Sequence, residues 1–435
     1  MPYYLRLLIL LLLFGCTNQP QPQQTVFNDD IDRFWTAYDK ISATADTTQQ
    51  LEYLHQLYLE PGSPGLKAFM TRREYTAQDY LEAIKNYPSF WASVRENTRR
   101  SKEFAAEIES GIAGLRSIYP QLKPAKIYFT IGALMSGGTT LDSLVLIGSE
   151  IAMADSTAET HELPEWLGQN LRRYFDTNPI HDVVLLNIHE YVHTQQNTYG
   201  YDLLSQSLFE GVAEFVSVKA TGQPSSTAAV SFGKENETRV RDRFEKEMFS
   251  PNWNDWLYNN FENEFKTRDM GYYVGYAICE KYYDQQADKQ AAIAEMIELD
   301  YGNKGEVEAF AEKSGYFSQS MENLQKIFDS NRPFVSAIQP FANSAENVDP
   351  SITQVTVQFS SPMSDRFRGF EYGPLGEGHV LSIAQFIGFS EDGTSASFSV
   401  QMEPGQHYQL ELSSQFRSID GLPLQPYLID ITTRK

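Results

Sequence analysis

The sequence predicts an α+β protein: a mostly helical domain with a small sheet, followed by an all-β sandwich. Through most of the first 330 residues, apolar side chains recur at three- and four-residue spacing, which indicates amphipathic helices. Beyond Arg332-Pro333 the apolar period changes to two, which is the period of half-buried strands. At 435 residues the chain also exceeds what one hydrophobic core usually serves, so two folded domains are expected, with one large domain as the alternative.

The chain begins with a short apolar run that ends in Gly15-Cys16. The run is too short to span a bilayer comfortably and carries one arginine near its start, which is typical of a processed signal. Its end, Leu-Phe-Gly-Cys, resembles the lipobox of bacterial lipoproteins, in which the cysteine becomes the lipidated first residue. The resemblance implies a signal peptide at 1–15 and a lipid anchor at Cys16 in the bacterial cell envelope, on the periplasmic side or the cell surface. A plain secretory signal with a chance cysteine is the alternative.

Residues 16–28 are expected to form a tether, because the Pro/Gln-rich stretch after Cys16 cannot bury apolar surface. The membrane is then a partner through the lipid anchor. The formal net charge of −22 would repel phosphate backbones, and no basic cluster flanked by aromatic residues offsets it, so nucleic acid is not expected as a partner. With Cys16 acylated, only Cys279 remains, and no intrachain disulfide is expected.

The helical domain is predicted at 29–330. Within it, two β-branched and aromatic runs at 125–131 and 144–147 predict a small sheet. The Gly-rich stretch 136–140 between them is interpreted as a loop, either an ordinary hairpin loop or a place where a peptide backbone approaches closely. A helix is then predicted at 182–196, with its first residue as the N-cap.

This helix carries His189-Glu190-Tyr191-Val192-His193, an HExxH pattern. Helix positions four apart lie one turn apart on the same face, so both imidazoles can bind one ion while Glu190 leans over the same site. Only seven histidines occur in the chain, which makes the pattern rare by chance. The sequence therefore predicts a Zn²⁺ site here; histidines on a solvated surface are the alternative.

A catalytic zinc site normally has three protein ligands and an open position for water. A third histidine six residues after the second, with a glycine between, would be one source, but those positions hold Tyr199 and Gln196. The stretch Phe-Glu-Gly-Val-Ala-Glu-Phe further along offers Glu210 and Glu214, which lie one helical turn apart. Either glutamate is a candidate for the third ligand, and a solvated helix face with two acids is the alternative.

The Glu-Gly-x-Ala element at Glu210 resembles that of the gluzincin metallopeptidases, including the membrane alanyl aminopeptidases, in which the first glutamate binds zinc. The resemblance implies that Glu210 is the third ligand and that Glu214 hydrogen-bonds the free nitrogen of His189. HEYVH, EGVAEF and GYYVGYAI, in this order, also resemble a family of predicted bacterial zinc-dependent proteases. In the last of these segments Tyr273 or Tyr276 is expected to stabilise the oxyanion, and a core aromatic is the alternative for either.

The C-terminal part, 333–435, is predicted as a β-sandwich in which Asp-Gly and Pro-Gly turn signals separate the strands. The stretch RPFVSAIQPFANSAENVDPSITQVTVQFSSPMS, with DGLPL near the end, resembles the bacterial Ig-like domains appended to surface and secreted proteins. The two resemblances together imply a zincin-like metallopeptidase domain followed by an Ig-like spacer or binding module without chemistry of its own.

The residues thus indicate a zinc-dependent hydrolase, and the resemblance implies a peptidase that acts on a peptide or protein substrate. In this hypothesis His189, His193 and Glu210 hold Zn²⁺, which lowers the pKa of a water, and Glu190 takes the proton as general base. One alternative is an envelope lipoprotein that binds or assembles with a partner and has a structural or degenerate metal site. Another is a hydrolase of non-peptide amides, such as those of cell-wall material.

Overall fold

The computed structural model describes residues 24–197, 200–259 and 263–435. The signal peptide at 1–15, the lipidation site Cys16 and most of the tether predicted at 16–28 lie outside the described residues. The described chain confirms a mixed α+β architecture, in which a helical region with a small sheet is followed by a region of strands. In the described part of the chain, no helix is both long enough and apolar enough to cross a membrane.

The region before the central strands of the first sheet is helical and packs around buried aromatic rings. Phe34 makes edge contacts with Trp35 and Tyr58, at centroid distances of 5.1 and 5.3 Å. A π-helical turn, His55–Leu59, continues the second helix. The helices are α1 (Asp29–Ser42), α2 (Thr47–Leu54), α3 (Pro64–Arg73), α4 (Ala77–Asn86), α5 (Pro88–Arg99) and α6 (Ser101–Ile118).

The first sheet has four strands in the order β1-β2-β4-β3. Strand β2 is parallel to both of its neighbours, β1 and β4. Strand β3 pairs only with β4, in the antiparallel direction, and forms one edge of the sheet. The stretch predicted as a Gly-rich loop is therefore partly strand. The hairpin turns instead at Asp142, whose φ of 51° is left-handed. The strands are β1 (Val26–Phe27), β2 (Lys126–Thr130), β3 (Gly138–Leu141) and β4 (Leu144–Gly148).

The predicted tether at 16–28 is too long at its C-terminal end. Val26 is buried, and the ring of Phe27 stacks on Tyr128 with the centroids 4.8 Å apart. Pairing of β1 with β2 makes these residues part of the folded domain. A strand of two residues shows no apolar period, which is why the sequence did not reveal it.

Ten helices of the described chain follow the sheet. The motif helix is shorter than the predicted 182–196, because a 3₁₀ turn, Pro179–Asp182, leads into it and Thr194 is its C-cap. Asp182 is the N-cap, as predicted, but its side chain makes no capping hydrogen bond. The helices are α7 (Ser149–Ala152), α8 (Glu165–Phe175), α9 (Val183–His193), α10 (Leu203–Thr221), α11 (Ala228–Glu235), α12 (Glu237–Phe244), α13 (Met270–Gln285), α14 (Lys289–Glu298), α15 (Lys304–Ser314) and α16 (Met321–Asn331).

Helices α10 and α13 pack in close contact where Gly211 meets Gly275. A Cβ at Gly211 would overlap the carbonyl carbon of Gly275, and a Cβ at Gly275 would overlap the carbonyl oxygen of Ser207. Glycine is therefore required for the two backbones to approach this closely. Since α10 also packs against α9, this crossing holds residues of α10 and α13 beside the HExxH histidines.

The C-terminal region consists of strands in two sheets, ordered β5-β6-β9-β8 and β11-β10-β7. The two sheets share a buried apolar cluster that is separate from the core of the helical region. Arg332 joins the two regions, because its guanidinium donates to the carbonyl oxygens of Pro423 and Leu424 at 3.0 and 2.6 Å. The strands are β5 (Val335–Gln339), β6 (Gln354–Phe359), β7 (Phe370–Glu371), β8 (Ile383–Phe389), β9 (Ser395–Val400), β10 (His407–Leu412) and β11 (Tyr427–Thr432).

Candidate metal centre

His189, His193 and Glu210 each bring one ligand atom to a common point. The Nε2 atoms of the two histidines are 3.1 Å apart, and Oε2 of Glu210 lies 3.4 Å from the first and 3.3 Å from the second. Ligand atoms about 2.0–2.1 Å from a tetrahedral zinc ion are separated from one another by about 3.3 Å. The triangle of ligand atoms therefore has the size that a tetrahedral zinc ion requires.

The burial of this triangle also favours a cation. The exposed fractions of the three side chains are 8% for His189, 9% for His193 and 6% for Glu210. Oε2 of Glu210 is buried and has no hydrogen-bond partner among the described residues. A buried carboxylate oxygen without a partner is costly, and a cation at the centre of the triangle would compensate it. The residues present thus fit a bound metal.

The charges around the triangle attract a positive ion. Burial lowers the pKa of His189, but the carboxylates of Glu210 and Glu214 beside its ring outweigh burial and raise this pKa to about 10. Burial raises the pKa of Glu210, but the charge of His193 and the nearby ring of His189 outweigh burial and hold this pKa well below its ordinary value. The cluster stabilises positive charge, which a proton or a metal ion can provide.

Glu214 fixes the orientation of His189. Its Oε2 lies 3.2 Å from Nδ1 of His189, and its Oε1 accepts hydrogen bonds from Thr227 at 3.1 Å and from Ser225. A proton on Nδ1 leaves the lone pair of Nε2 directed at the triangle. Of the two candidate glutamates, Glu210 is the one that reaches the triangle, and Glu214 lies at the opposite nitrogen of His189.

Gln196 fixes the second histidine in the same way. Its Oε1 lies 2.6 Å from Nδ1 of His193, and its amide donates to the carbonyl oxygen of Phe209 at 2.9 Å and the hydroxyl of Tyr301 at 3.0 Å. In the sequence this position was compared only with the glycine of the three-histidine arrangement, and no role was predicted for Gln196. Because α9 ends at His193, the chain can turn back and place Gln196 beside it. The three-residue spacing from His193 is the signal that could have suggested this pairing.

The two predicted tyrosines do not reach the triangle. The ring of Tyr273 lies against the backbone of Gly233, and its hydroxyl is beside Tyr316. Tyr276 packs edge-on against Phe215, at a centroid distance of 5.3 Å, and the Lys234 ammonium lies 4.9 Å from its centroid. Both tyrosines are core residues of α13, which is the alternative considered for them.

Two other tyrosines occupy the place expected for Tyr273 and Tyr276. The ring of Tyr272 stacks on His189, with the centroids 5.8 Å apart, and the hydroxyl of Tyr258 donates to Oε1 of Glu210 at 2.5 Å. Tyr258 is 59% exposed, but its hydroxyl is turned toward Glu210. Desolvation of the hydroxyls and the charge of Glu210 raise the pKa of both phenols well above the ordinary value, so both stay protonated and can donate hydrogen bonds. Tyr258 lies in a loop with a left-handed φ of 54°, where no sequence pattern points to the site.

Glu190 lies between the triangle and the edge strand β3. A Cβ at Gly138 would be 3.0 Å from Oε1 of Glu190, so the carboxylate packs directly against the strand backbone. Burial raises the pKa of Glu190, and the charges of His193 and His189 oppose this rise. Within the described chain, no donor forms a hydrogen bond with this carboxylate, which leaves it available to accept a proton beside the ligands.

A scan against protein-family models and a search of curated proteins found no match. The search of solved structures found S-layer proteins. The S-layer protein rSbsC and the N-terminal part of the bacterial S-layer protein SbsC each match 94% of this chain at 10% identity and a TM-score of 0.18. Domains 1–6 of SbsC match 76% of it at 11% identity and the same TM-score. The chain covers 45%, 77% and 46% of these three chains, respectively. At this TM-score the likeness carries no argument.

Proposed function

We propose that this chain is a zinc-dependent hydrolase that cleaves peptide bonds, with His189, His193 and Glu210 as the metal ligands. The observation that carries the proposal is the buried triangle of ligand atoms, 3.1 to 3.4 Å apart, in which one carboxylate oxygen has no partner among the described residues. A structural zinc site is usually closed by four protein ligands. Three ligands beside a free carboxylate are typical of a catalytic site instead.

The chain supplies a proton acceptor beside the metal position. A zinc ion held by the triangle would act as a Lewis acid toward water and toward the carbonyl oxygen of the substrate. The carboxylate of Glu190 then accepts the proton of the attacking water and returns it to the leaving amine. Its contact with Gly138 and its burial hold this carboxylate in place and limit its access to bulk water.

Hydrogen-bond donors for the oxyanion come from Tyr258 and Tyr272. Their phenols are protonated at neutral pH and lie on the side of the site formed by Glu210 and α13. A donor aimed at the oxygen that gains charge stabilises the transition state more than the ground state. The two tyrosines therefore take the role that the sequence suggested for Tyr273 or Tyr276.

The edge strand β3 supports a polypeptide substrate. It pairs with β4 on one side, and its first residue, Gly138, contacts Glu190. An extended peptide that adds to the edge of a sheet gains main-chain hydrogen bonds without any requirement on its side chains. A peptide bound along β3 would thus pass beside the carboxylate that accepts the proton.

The sequence adds the cellular setting to this proposal. The lipobox-like Cys16 places the enzyme in the bacterial envelope on a lipid anchor, and the strands of the C-terminal region form an Ig-like sandwich that acts as a spacer or binding module. The two sheets with one shared core support the sandwich. The membrane and a peptide or protein substrate are the partners in this proposal.

The test compares the wild-type chain with Glu190→Gln and with Glu165→Gln, which removes one exposed charge on α8. We expect elemental analysis to find zinc in all three proteins after expression with zinc available. We expect the wild type and Glu165→Gln to cleave members of a broad peptide library, and Glu190→Gln to be about 10² to 10⁴ times slower.

A protein that holds no zinc, or a Glu190→Gln variant that cleaves as fast as the wild type, refutes the proposal. Zinc in all three proteins without cleavage by any of them would instead support the envelope binding lipoprotein with a structural metal site. Cleavage of cell-wall amides but of no peptide would keep the metal chemistry and exclude the peptide substrate.

A further inference from the structure

A cavity of about 520 Å³ opens beside Tyr258. This volume lies within the range of roughly 300–1,000 Å³ that is typical of small-molecule sites. The hydroxyl of Tyr258 donates to Glu210 at 2.5 Å, so the cavity and the metal triangle share this side chain. The part of a substrate next to its scissile bond is therefore within reach of the cavity. The cavity is lined by Asn170, Trp253, Asn254, Leu257, Tyr258, Asn259 and Arg268.

The residues that line the cavity differ in charge from the chain as a whole, which is strongly acidic. The whole sequence has a formal net charge of −22, yet none of the described residues that line the cavity is acidic. Arg268 is the one charged residue among them, and three asparagine amides and two aromatic rings surround the same space. A site of this composition favours an anionic or strongly polar planar group over a cation.

Several of these polar groups have free hydrogen-bonding capacity. Nε of Arg268 donates to Oδ2 of Asp269 at 2.6 Å, but its two Nη atoms have no hydrogen-bond partner among the described residues. The side-chain amides of Asn170 and Asn254 are also without a partner in the described chain. Asn259 differs, because its side chain accepts from the backbone of Asp269 at 2.8 Å and donates to the carbonyl oxygen of Asp255 at 2.6 Å.

Asp269 holds the guanidinium in place without occupying its two terminal nitrogens. One of its oxygens accepts from Nε of Arg268, and its own backbone N–H donates to the side chain of Asn259, the neighbour of Tyr258. Arg268 is thus fixed beside the same loop residue that contacts Glu210. A fixed guanidinium with two free nitrogens matches the two oxygens of a carboxylate, and the neighbouring amides can add further donors.

We propose that this cavity is a substrate subsite in which the two free nitrogens of Arg268, with the amides of Asn170 and Asn254, bind a carboxylate of the substrate. The carboxylate comes either from an acidic side chain near the scissile bond or from the C-terminus of the substrate. The assignment of the cavity as a subsite rests on the proposed function. The binding of a carboxylate in it does not, because no metal ligand takes part.

The test uses three probes of matched size, with N-acetylglucosamine as a fourth, uncharged sugar probe, on the full chain after removal of metal with a chelator. N-acetyl-L-glutamate α-amide has only the side-chain carboxylate, N-acetyl-L-glutamine has only the α-carboxylate, and N-acetyl-L-glutamine amide has neither. Binding is measured by ligand-observed NMR at millimolar concentrations. Arg268→Gln removes the guanidinium, and Arg366→Gln, at an exposed position of the C-terminal region, is the control for the loss of one positive charge.

We expect at least one carboxylate probe to bind about tenfold more tightly than the diamide, since a charge-assisted hydrogen-bond pair has about this effect. Whichever acid binds identifies the source of the carboxylate. The preference should disappear in Arg268→Gln and persist in Arg366→Gln. The subsite is refuted if the diamide binds as well as the acids, if no probe binds, if Arg268→Gln binds like the wild type, or if N-acetylglucosamine binds in place of the acids. Because this measurement needs neither metal nor turnover, its failure is distinct from the failure of the hydrolase proposal.

Discussion

Replacing Glu150 with glutamine should remove a pH-dependent loss of stability from the helical region. Glu150 lies in α7 and is fully buried. Its two carboxylate oxygens accept the N–H groups of Gly132 at 2.9 Å and Leu134 at 3.2 Å, in the segment that connects β2 to β3. Burial raises the pKa of Glu150 from 4.5 to about 7, and these backbone hydrogen bonds oppose the rise without cancelling it.

The sign of the effect follows from the direction of this shift. A carboxyl group whose pKa is higher in the folded state binds its proton more tightly there, so its contribution to stability is greatest below the unfolded-state pKa. This contribution is lost as the pH rises through about 7. A shift from 4.5 to about 7 corresponds to about 3 kcal/mol in the free energy of unfolding, most of which is lost between pH 5 and pH 8.

The assay is urea unfolding followed by tryptophan fluorescence at a series of pH values. All five tryptophans of the chain lie in the helical region, so the signal reports this region and not the strands that follow it. We expect the unfolding free energy of the wild type, minus that of Glu150→Gln, to fall by about 2–3 kcal/mol from pH 5 to pH 8. Glu52→Gln, on the exposed side of α2, is the control for the loss of one negative charge. A difference curve that is flat, or that rises with pH, would refute the reasoning.

Three further predictions concern the metal centre. Glu214→Gln should weaken zinc binding about 10- to 100-fold in competition with a chromophoric chelator, because the partner of His189 loses its charge; an unchanged affinity would show that this orientation is unimportant. Tyr258→Phe should retain zinc and lower kcat in peptide assays about a hundredfold; a kcat equal to that of the wild type would show that the hydroxyl of Tyr258 takes no part in catalysis. Gly211→Val should lower the unfolding free energy by more than about 3 kcal/mol in urea titrations, because the side chain overlaps the backbone of Gly275; a stable variant would contradict the packing described for α10 and α13.

The helices of the centre could be predicted from the sequence because their signals are local. The spacing of four between His189 and His193 places both on one face of α9, and the same spacing places Glu210 and Glu214 one turn apart on α10. Glu210 was predicted as the third ligand because the Glu-Gly-x-Ala element on α10 resembles that of the gluzincins. The structure brings these three residues together, and the identity of the metal stays a prediction.

The parts that the sequence did not reveal depend on contacts between distant segments. Tyr258 lies in a loop, and only the packing of this loop against α10 brings its hydroxyl to Glu210. The prediction of Tyr273 and Tyr276 named the right helix but the wrong face, because the face that α13 turns toward His189 depends on its glycine contact with α10. Strand β3 was missed because its turn is formed by Asp142 rather than by the glycines before it.

The crossing of Gly211 and Gly275 also determines how the centre can move. With no side chain between the two backbones, α10 and α13 cannot slide or rotate past each other without a backbone collision. We therefore expect Glu210 on one helix and Tyr272 on the other to move together. A motion that widens the centre would then separate these two helices from α9, so we expect substrate-induced changes at the contact between α9 and α10.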